Sequence, residues 1–273
     1  TAPRSFCMTI RLTILGCGSS GGVPRLGPIW GACDPKNPKN RRRRCSVLVE
    51  KIVPGGFANV LVDTPPDMRE QLIDARCSHL DGVLYTHDHA DHTHGIDDLR
   101  MIAYAMKSKV TCHFDAPTRS SLVSRFNYCF DHQPGSGYHP ILKAAEIPAD
   151  GRIRVDGVNC AFDIQAIPQM HGDIPSLGFR FGNIAYSPDV SGMPEASIPL
   201  LEGLDVWIVD ALRYTNHPSH FSVAQALDWI ARLKPKRAIL THMTSDLDYA
   251  KLAAELPPGV EPAFDGMVIE VKG

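Results

Sequence analysis

The stretch YTHDHADHTHG places His87, His89, Asp91 and His92 side by side at the end of an apolar run, GVLYT. In an extended tail, residues two apart point the same way, so His87 and His89 can grip one cation. Asp91 and His92, on the turn into the next element, can face a second cation beside it. Three imidazoles and a carboxylate crowded at a strand end repel or desolvate one another unless a cation is present. Three further residues stand just past β-like runs: His171 after FDIQAI, Asp189 after NIAYS and His242 after RAIL. Each alone reads as a loop histidine or a turn aspartate. Together with the first motif they complete two sites, at the strand ends where open α/β sheets place their chemistry. Mixed imidazole and carboxylate donors suit Zn²⁺ or Mn²⁺.

The elements that must position these residues alternate along the chain. Thr9–Leu15, Ser46–Glu50 and Asn59–Val62 are β-rich runs separated by turn residues. Pro65–Ala75 reads as a short helix with proline at its start, and a helix is expected from His92 or Ile96 onward. The second half repeats the scheme, with NCAFDIQAI, SLGFRF, NIAYS, DVWIVD, RAILTH and GMVIEV as strands. SVAQALDWIARL forms an amphipathic helix with Val223, Ala226, Leu227 and Ile230 on one face, and DLDYAKLAAEL a second helix. Residues 131–140 are a polar Gly/Pro excursion rather than a boundary. The reading is one α/β domain over residues 1–273, two β-rich layers flanked by helices, with Met8 a candidate native start.

Composition limits the partners. The 273 residues carry a formal net charge of −2, which does not indicate an extended nucleic-acid surface. No apolar stretch approaches the roughly 20 residues needed to cross a bilayer. The start lacks the apolar core and cleavage site of an export signal. The eight cysteines are scattered without a C-x-x-C pair, so free thiols and a cytoplasmic setting are expected. The segment GCGSSG, Gly16 to Gly21, has the spacing of a dinucleotide loop. The stretch after it, VPRLGPIWGACDPKNPKN, is too rich in proline and glycine to open the helix that such a loop requires. NAD and FAD are therefore not expected. The glycines instead suit a close-packed turn at the rim of the metal site, with Ser19 and Ser20 near substrate.

The Gly loop, VLVDTPPDMR, THDHADHTHGIDDLR, His171, YSPDV, DALR, THM and FDGMVIEV together resemble the metallo-β-lactamase superfamily over nearly the whole chain. The resemblance implies a four-layer αββα sandwich with mixed sheets and a dinuclear centre. It assigns His87, His89 and His171 to one metal, Asp91, His92 and His242 to the other, and Asp189 to the bridge. Asp63, ending VLVD, resembles the family's buried structural aspartate, which orients the metal loop from behind. GCGSSGGVP, the Arg-rich NRRRRCSVLVE, GIDDLR and DALRYTNHPSHFSVAQAL most resemble the phosphoribosyl cyclic phosphodiesterase group. Ribonuclease Z shares the Gly loop and metal motif, but its basic clamping arm has no counterpart here. A thioester or lactone hydrolase of the glyoxalase II type is a third reading.

By that resemblance His220 is the general acid that protonates the leaving alkoxide. His217 is the weaker alternative, and the residue-level alternative for His220 is a neighbour of the Ser222 helix cap. His220 and Asp91 are the catalytic assignments, Asp91 doubling as a ligand. Arg100 and one of Arg41–Arg44, Arg44 foremost, are the expected phosphate contacts; the Arg run also reads as a solvated lead-in to a strand. The group's second, structural zinc needs a cysteine cluster after the Gly loop and a histidine three residues past the last metal histidine. Only Cys33 and Ser245 stand at those places, so no structural zinc is expected. That loop must then be held by packing, with Trp30 a candidate, or stay mobile. The expected partner is a small phosphate-bearing substrate, with neither membrane nor extended nucleic acid; a homodimer is compatible with the sequence.

Overall fold

The computed structural model describes residues 8–135 and 137–272. The segment before Met8, with Cys7, lies outside the described residues. The chain begins with an antiparallel meander, β1 (Thr9–Gly16), β2 (Ser46–Val53) and β3 (Gly56–Val62). Three strands then add in parallel: β4 (Gly82–Leu84), β5 (Val110–Phe114) and β6 (Leu142–Glu146). The same plan recurs. β7 (Arg152–Asp156), β8 (Ala161–His171), β9 (Ile174–Phe181) and β10 (Ile184–Ser187) form a meander. β11 (Val206–Asp210), β12 (Arg237–Thr241) and β13 (Val260–Pro262) follow in parallel. β14 (Val268–Lys272) returns to close the first sheet against β1.

Burial follows strand position. β10 and β11 are buried at every residue, as parallel strands covered on both faces must be. The edge strand β7 alternates exposed and buried residues. In β2 and β3 the two faces separate cleanly. Val47, Val49, Val60 and Val62 join the core between the sheets with Ile164, Phe179 and Tyr186. Leu48 and Leu61 instead face the helices α1 (Met68–Asp74), α3 (Leu99–Met106) and α4 (Ala116–Arg125). α6 (Val223–Leu233) and α7 (Tyr249–Glu255) pack against the second sheet through Val223, Ala226 and Leu252. The architecture is the four-layer αββα sandwich. Among the described residues no helix is long and apolar enough to cross a membrane.

Several boundaries differ from the sequence reading, each for a local reason. The first helix spans Met68–Asp74 rather than Pro65–Ala75, because the Asp67 carboxylate accepts from the Arg44 backbone instead of capping its own helix. The helix expected from His92 breaks into α2 (Ala90–Thr93), a 3₁₀ turn at Ile96–Asp98 and α3. Gly95 sits at the break. A Cβ there would lie 2.2 Å from the Pro65 carbonyl, so only glycine fits. β8 runs on to include His171. The strands β5, β6, β7 and β13, three to five residues each, mix polar and apolar residues without a continuous apolar run, and the sequence reading does not single them out.

Candidate metal centre

The expected ligands gather where strands of both sheets end. Asp63 follows β3, His87 follows β4, His171 ends β8, Asp189 follows β10 and His242 follows β12. Asp63 and His242 adopt φ of 62° and 57°, in the left-handed region. For residues with a Cβ this costs of order 1 kcal/mol each. That strain sits at two residues which aim side chains into the cluster.

Asp189 lies at the centre. Its Oδ1 is 3.1 Å from His92 Nε2, and its Oδ2 is 3.4 Å from His242 Nε2, 3.7 Å from His171 Nε2 and 3.9 Å from His87 Nε2. Asp91 Oδ2 is 3.5 Å from His92 Nε2. Ligand atoms of His87, His89 and His171 lie within 4.8 Å of one another, as do those of Asp91, His92 and His242. The structure thus brings all seven expected ligands together, in overlapping groups that include the two triads the resemblance implies.

The donor set fits divalent cations. The Nε2 atoms of His87, His92 and His242 and Asp189 Oδ1 are buried without a hydrogen-bond partner. Each such group costs about 1–3 kcal/mol in a folded protein unless something satisfies it. Burial pushes His87 well below its ordinary range and His242 down to about 3, and it also lowers His89 and His171. Neutral imidazole is the form that binds a metal, so burial favours ligation. His92 departs from this pattern. Burial opposes its charge, yet Asp189, Asp91 and Asp63 outweigh burial and hold its proton well above the usual range.

The remote nitrogens of His92, His87 and His171 are held, whereas His242 Nδ1 has no hydrogen-bond partner. His92 Nδ1 is 2.7 Å from Asp63 Oδ2, and Asp63 also accepts from the Thr86 amide and hydroxyl at 2.8 Å. His87 Nδ1 meets the Thr86 hydroxyl at 2.9 Å, and His171 Nδ1 donates to the Ser219 carbonyl at 2.6 Å. These contacts fix ring orientation, as metal sites require.

His220 stands against this cluster, its ring 4.6 Å from those of His171 and His242. Its Nδ1 is 2.7 Å from Asp210 Oδ2. Sequence reasoning missed Asp210 as a functional residue, although it closes the all-buried strand β11. Its second oxygen is buried, unpartnered and 3.8 Å from His242 Nδ1, and Oδ2 also accepts from the Val190 amide at 3.1 Å. Ser222 does cap α6 in a capping box with Gln225, so the structural reading of this segment and the dyad hold together. Arg213 was also missed. It is half-buried and bonds only the carbonyls of Thr215 and Asn216, with no carboxylate partner among the described residues. Burial lowers both His217 and His220, whose rings are 5.2 Å apart, and the Arg213 charge adds a smaller push in the same direction.

Arg44 pairs with Asp67 at 2.8 Å. Arg100 pairs with Asp97 at 2.6 Å and lies over the Tyr138 ring. Arg43 pairs with Asp74 and Asp265, Arg42 is buried, and Arg41 is exposed. None of Arg42, Arg43, Arg44 or Arg100 makes an ion pair or hydrogen bond to the cluster among the described residues. Ser19 is buried, and Ser20 is exposed beside it.

The glycine loop lies at the rim. The Met243 amide donates to the Cys17 carbonyl at 2.9 Å and the Ser19 amide to the Met243 carbonyl at 3.3 Å, one residue past His242. A Cβ on Gly16 would sit 2.1 Å from the Arg44 carbonyl. No helix comes after it, only a 3₁₀ turn at Pro38–Asn40 before β2. The intervening loop is clasped by polar contacts. Asn40 Nδ2 donates to Asp248 Oδ2 at 2.6 Å and to the Asp34 carbonyl at 3.1 Å, and Asn40 Oδ1 accepts from the Tyr249 amide at 2.7 Å.

A sandwich of two mixed sheets with a histidine–aspartate cluster at its edge defines a hydrolase of the metallo-β-lactamase fold. Residues 58–243 match the model of the beta-lactamase superfamily domain, and the chain belongs to the metallo-β-lactamase superfamily. Within it, the chain is 32% identical to a diphosphatase of the PhnP family, covering 97% of this chain and 98% of that one with a TM-score of 0.85. The fold is shared with Zn²⁺-bound PqqB from Methylobacterium extorquens (17% identity, 95% and 99% coverage, TM-score 0.70). It is shared too with the short form of human tRNase Z (18%, 95% and 98%, 0.63). An octanoyltransferase of Porphyromonas gingivalis strain ATCC BAA-308 / W83 is 31% identical over 268 residues, 97% of this chain. The chain spans about half of that relative, 52% of its length.

Proposed function

We propose that this chain is a two-metal hydrolase of small ribose- or nucleotide-type phosphodiesters, cyclic ones included. The observation that carries the reading is the His220–Asp210 pair set against a complete seven-residue ligand cluster. His87, His89 and His171 would hold one ion, Asp91, His92 and His242 the other, with Asp189 shared and Zn²⁺ or Mn²⁺ as the ions. Two such ions lower the pKa of a water and draw charge from phosphate oxygens.

The chain's own residues do the rest. Asp210 holds the His220 Nδ1 proton, so Nε2 faces the cluster and can deliver a proton to a departing ribose oxygen. An alkoxide needs that proton, whereas a thiolate, with a pKa near 8.5, leaves without one. A donor placed here therefore favours phosphodiesters of sugars over thioesters. Arg213 is the cation beside the donor and would share the charge that develops on phosphate. Asp63 and Thr86 keep His92 and His87 aimed at the ions.

The relative named as a diphosphatase supports chemistry at phosphate. The relative named as an octanoyltransferase favours a second reading, hydrolysis of an acyl thioester. Metal-loaded protein would be offered bis(p-nitrophenyl) phosphate, a ribose 1,2-cyclic phosphate, an octanoyl thioester and precursor transfer RNA. The proposal expects turnover of the first two. Turnover of the thioester alone would replace it with the second reading, and cleavage of the RNA alone would make the protein a nuclease.

A further inference from the structure

We infer that Arg42 is a positioning residue for the His242 half of the metal centre, its guanidinium acting as a fixed cation inside the turn after His242. The inference rests on the two-metal reading above. Arg42 is 1% exposed, one of the largest fully buried side chains of the protein, and it has no carboxylate partner among the described residues. Its acceptors are the backbone carbonyls of that turn. Nη1 donates to Thr244 O at 3.0 Å and Nη2 to Leu247 O at 2.7 Å. The Cys33 sulfur completes the ring, 3.8 Å from Nη1, while its own thiol points at the carbonyls of Ser245 and Leu247. A buried charge is tolerated only when its surroundings supply such dipoles. A cation that gathers carbonyls from one turn fixes the backbone of that turn.

The backbone of Arg42 grips the other side. Its amide and carbonyl pair with Val23 at 2.8 Å in both directions, and Gly18 packs against its carbonyl. Cys17 and Ser19, from the same loop, pair with Met243. Met243 is thus held from the glycine loop, and Thr244 to Leu247 from the guanidinium. His242, immediately before them, keeps its left-handed φ of 57° and its imidazole in the cluster. Lysine preserves the charge, but its single ammonium cannot reproduce the planar fork that spans two carbonyls. His87, His89, Asp91 and His92 share the segment after β4, so the clasp reaches the cluster through His242 and acts on the site that His242 would join.

The test compares Mn²⁺ binding to wild type, Arg42→Lys and Arg42→Met by calorimetry, with kcat on bis(p-nitrophenyl) phosphate measured alongside. One of the two Mn²⁺ affinities should fall at least about tenfold in Arg42→Met, with the other unchanged. Saturating Mn²⁺ or added methylguanidinium should restore kcat, which a general loss of structure would not allow. Arg42→Lys should fall between, and serves alone if Arg42→Met does not fold. Two wild-type affinities in a folded variant, or equal weakening of both without rescue, would overturn the inference. If wild type itself binds neither Mn²⁺ nor Zn²⁺, the two-metal reading fails. The clasp is then judged by amide exchange at residues 244–247, faster in Arg42→Lys if it exists and unchanged if it does not.

Discussion

Two buried aspartates, Asp63 at the end of β3 and Asp210 at the end of β11, support the cluster from opposite sheets, and they are not equivalent. Asp63 is saturated. Thr86 occupies both oxygens and His92 shares one, so the carboxylate locks a single local loop. Asp210 is open. One oxygen takes His220 and the Val190 amide, and the other faces His242 without a bond. Burial raises both carboxylates above their usual range, Asp210 further because Asp189 adds like charge. The first sheet's support is built for rigidity, whereas the second joins His220, the Val190 backbone and His242.

That contrast can be broken at several points. The largest effect belongs to the residue both halves share: Asp189→Ala should reduce turnover at least about a thousandfold, because every ligand histidine but one faces its carboxylate. A fully active variant would refute the shared site. His220→Ala and Asp210→Asn should cost about 10²–10⁴ in kcat on a cyclic ribose phosphate and far less on bis(p-nitrophenyl) phosphate, whose leaving group needs no proton. Equal losses on both substrates would make the pair structural. Asp63→Asn should instead act on both substrates alike, weakening metal binding about 10–100-fold in a metal titration. Burial holds His220 below the ordinary histidine range, against the pull of Asp189 and Asp91. A donor must be protonated, so the rate on the cyclic phosphate should fall as pH rises through a value below about 6.5. The p-nitrophenyl diester should show no such limb.

The smallest effect lies at the rim. Asp265, bonded by Cys17 and Arg43, is raised from 3.8 to about 6 by burial, partly offset by those bonds. A raised carboxyl contributes stability in full below its unfolded value, and that contribution is lost as pH rises through about 6. The ceiling is about 3 kcal/mol. Chemical denaturation should show wild type losing stability between pH 4 and 7, and Asp265→Asn should flatten that slope.

The same contrast explains what the sequence disclosed. His87, His89, Asp91 and His92 are neighbours in the chain, so their spacing alone announced a cation site. His171, Asp189 and His242 were legible because each follows a strand with a clear apolar run. Asp210 follows such a run too, but with no second ligand beside it, and the histidines that come next, His217 and His220, lie seven and ten residues on. The dyad forms only when the segment after β11 folds back over the sheet edge. The arginines were hard to read for a related reason. A run of four arginines suggests phosphate, yet Asp67, Asp74 and Asp265, distant in sequence, take up two of them, and turn carbonyls take a third. Arg213, single and inconspicuous in the sequence, bonds only backbone carbonyls and its charge is felt at His220. At the level of the fold, strands with a continuous apolar run announced themselves, whereas β5, β6, β7 and β13 mix polar and apolar residues over three to five positions and take their pairing from the sheet they join.

The most direct test is a crystal of the protein grown with Mn²⁺ or Zn²⁺ and measured at the metal's absorption edge. Two anomalous peaks about 3.5–4 Å apart are expected, one among His87, His89 and His171 and the other among Asp91, His92 and His242, with Asp189 between them. A single peak, or none in a crystal whose protein turns over phosphodiesters, would contradict the two-metal account.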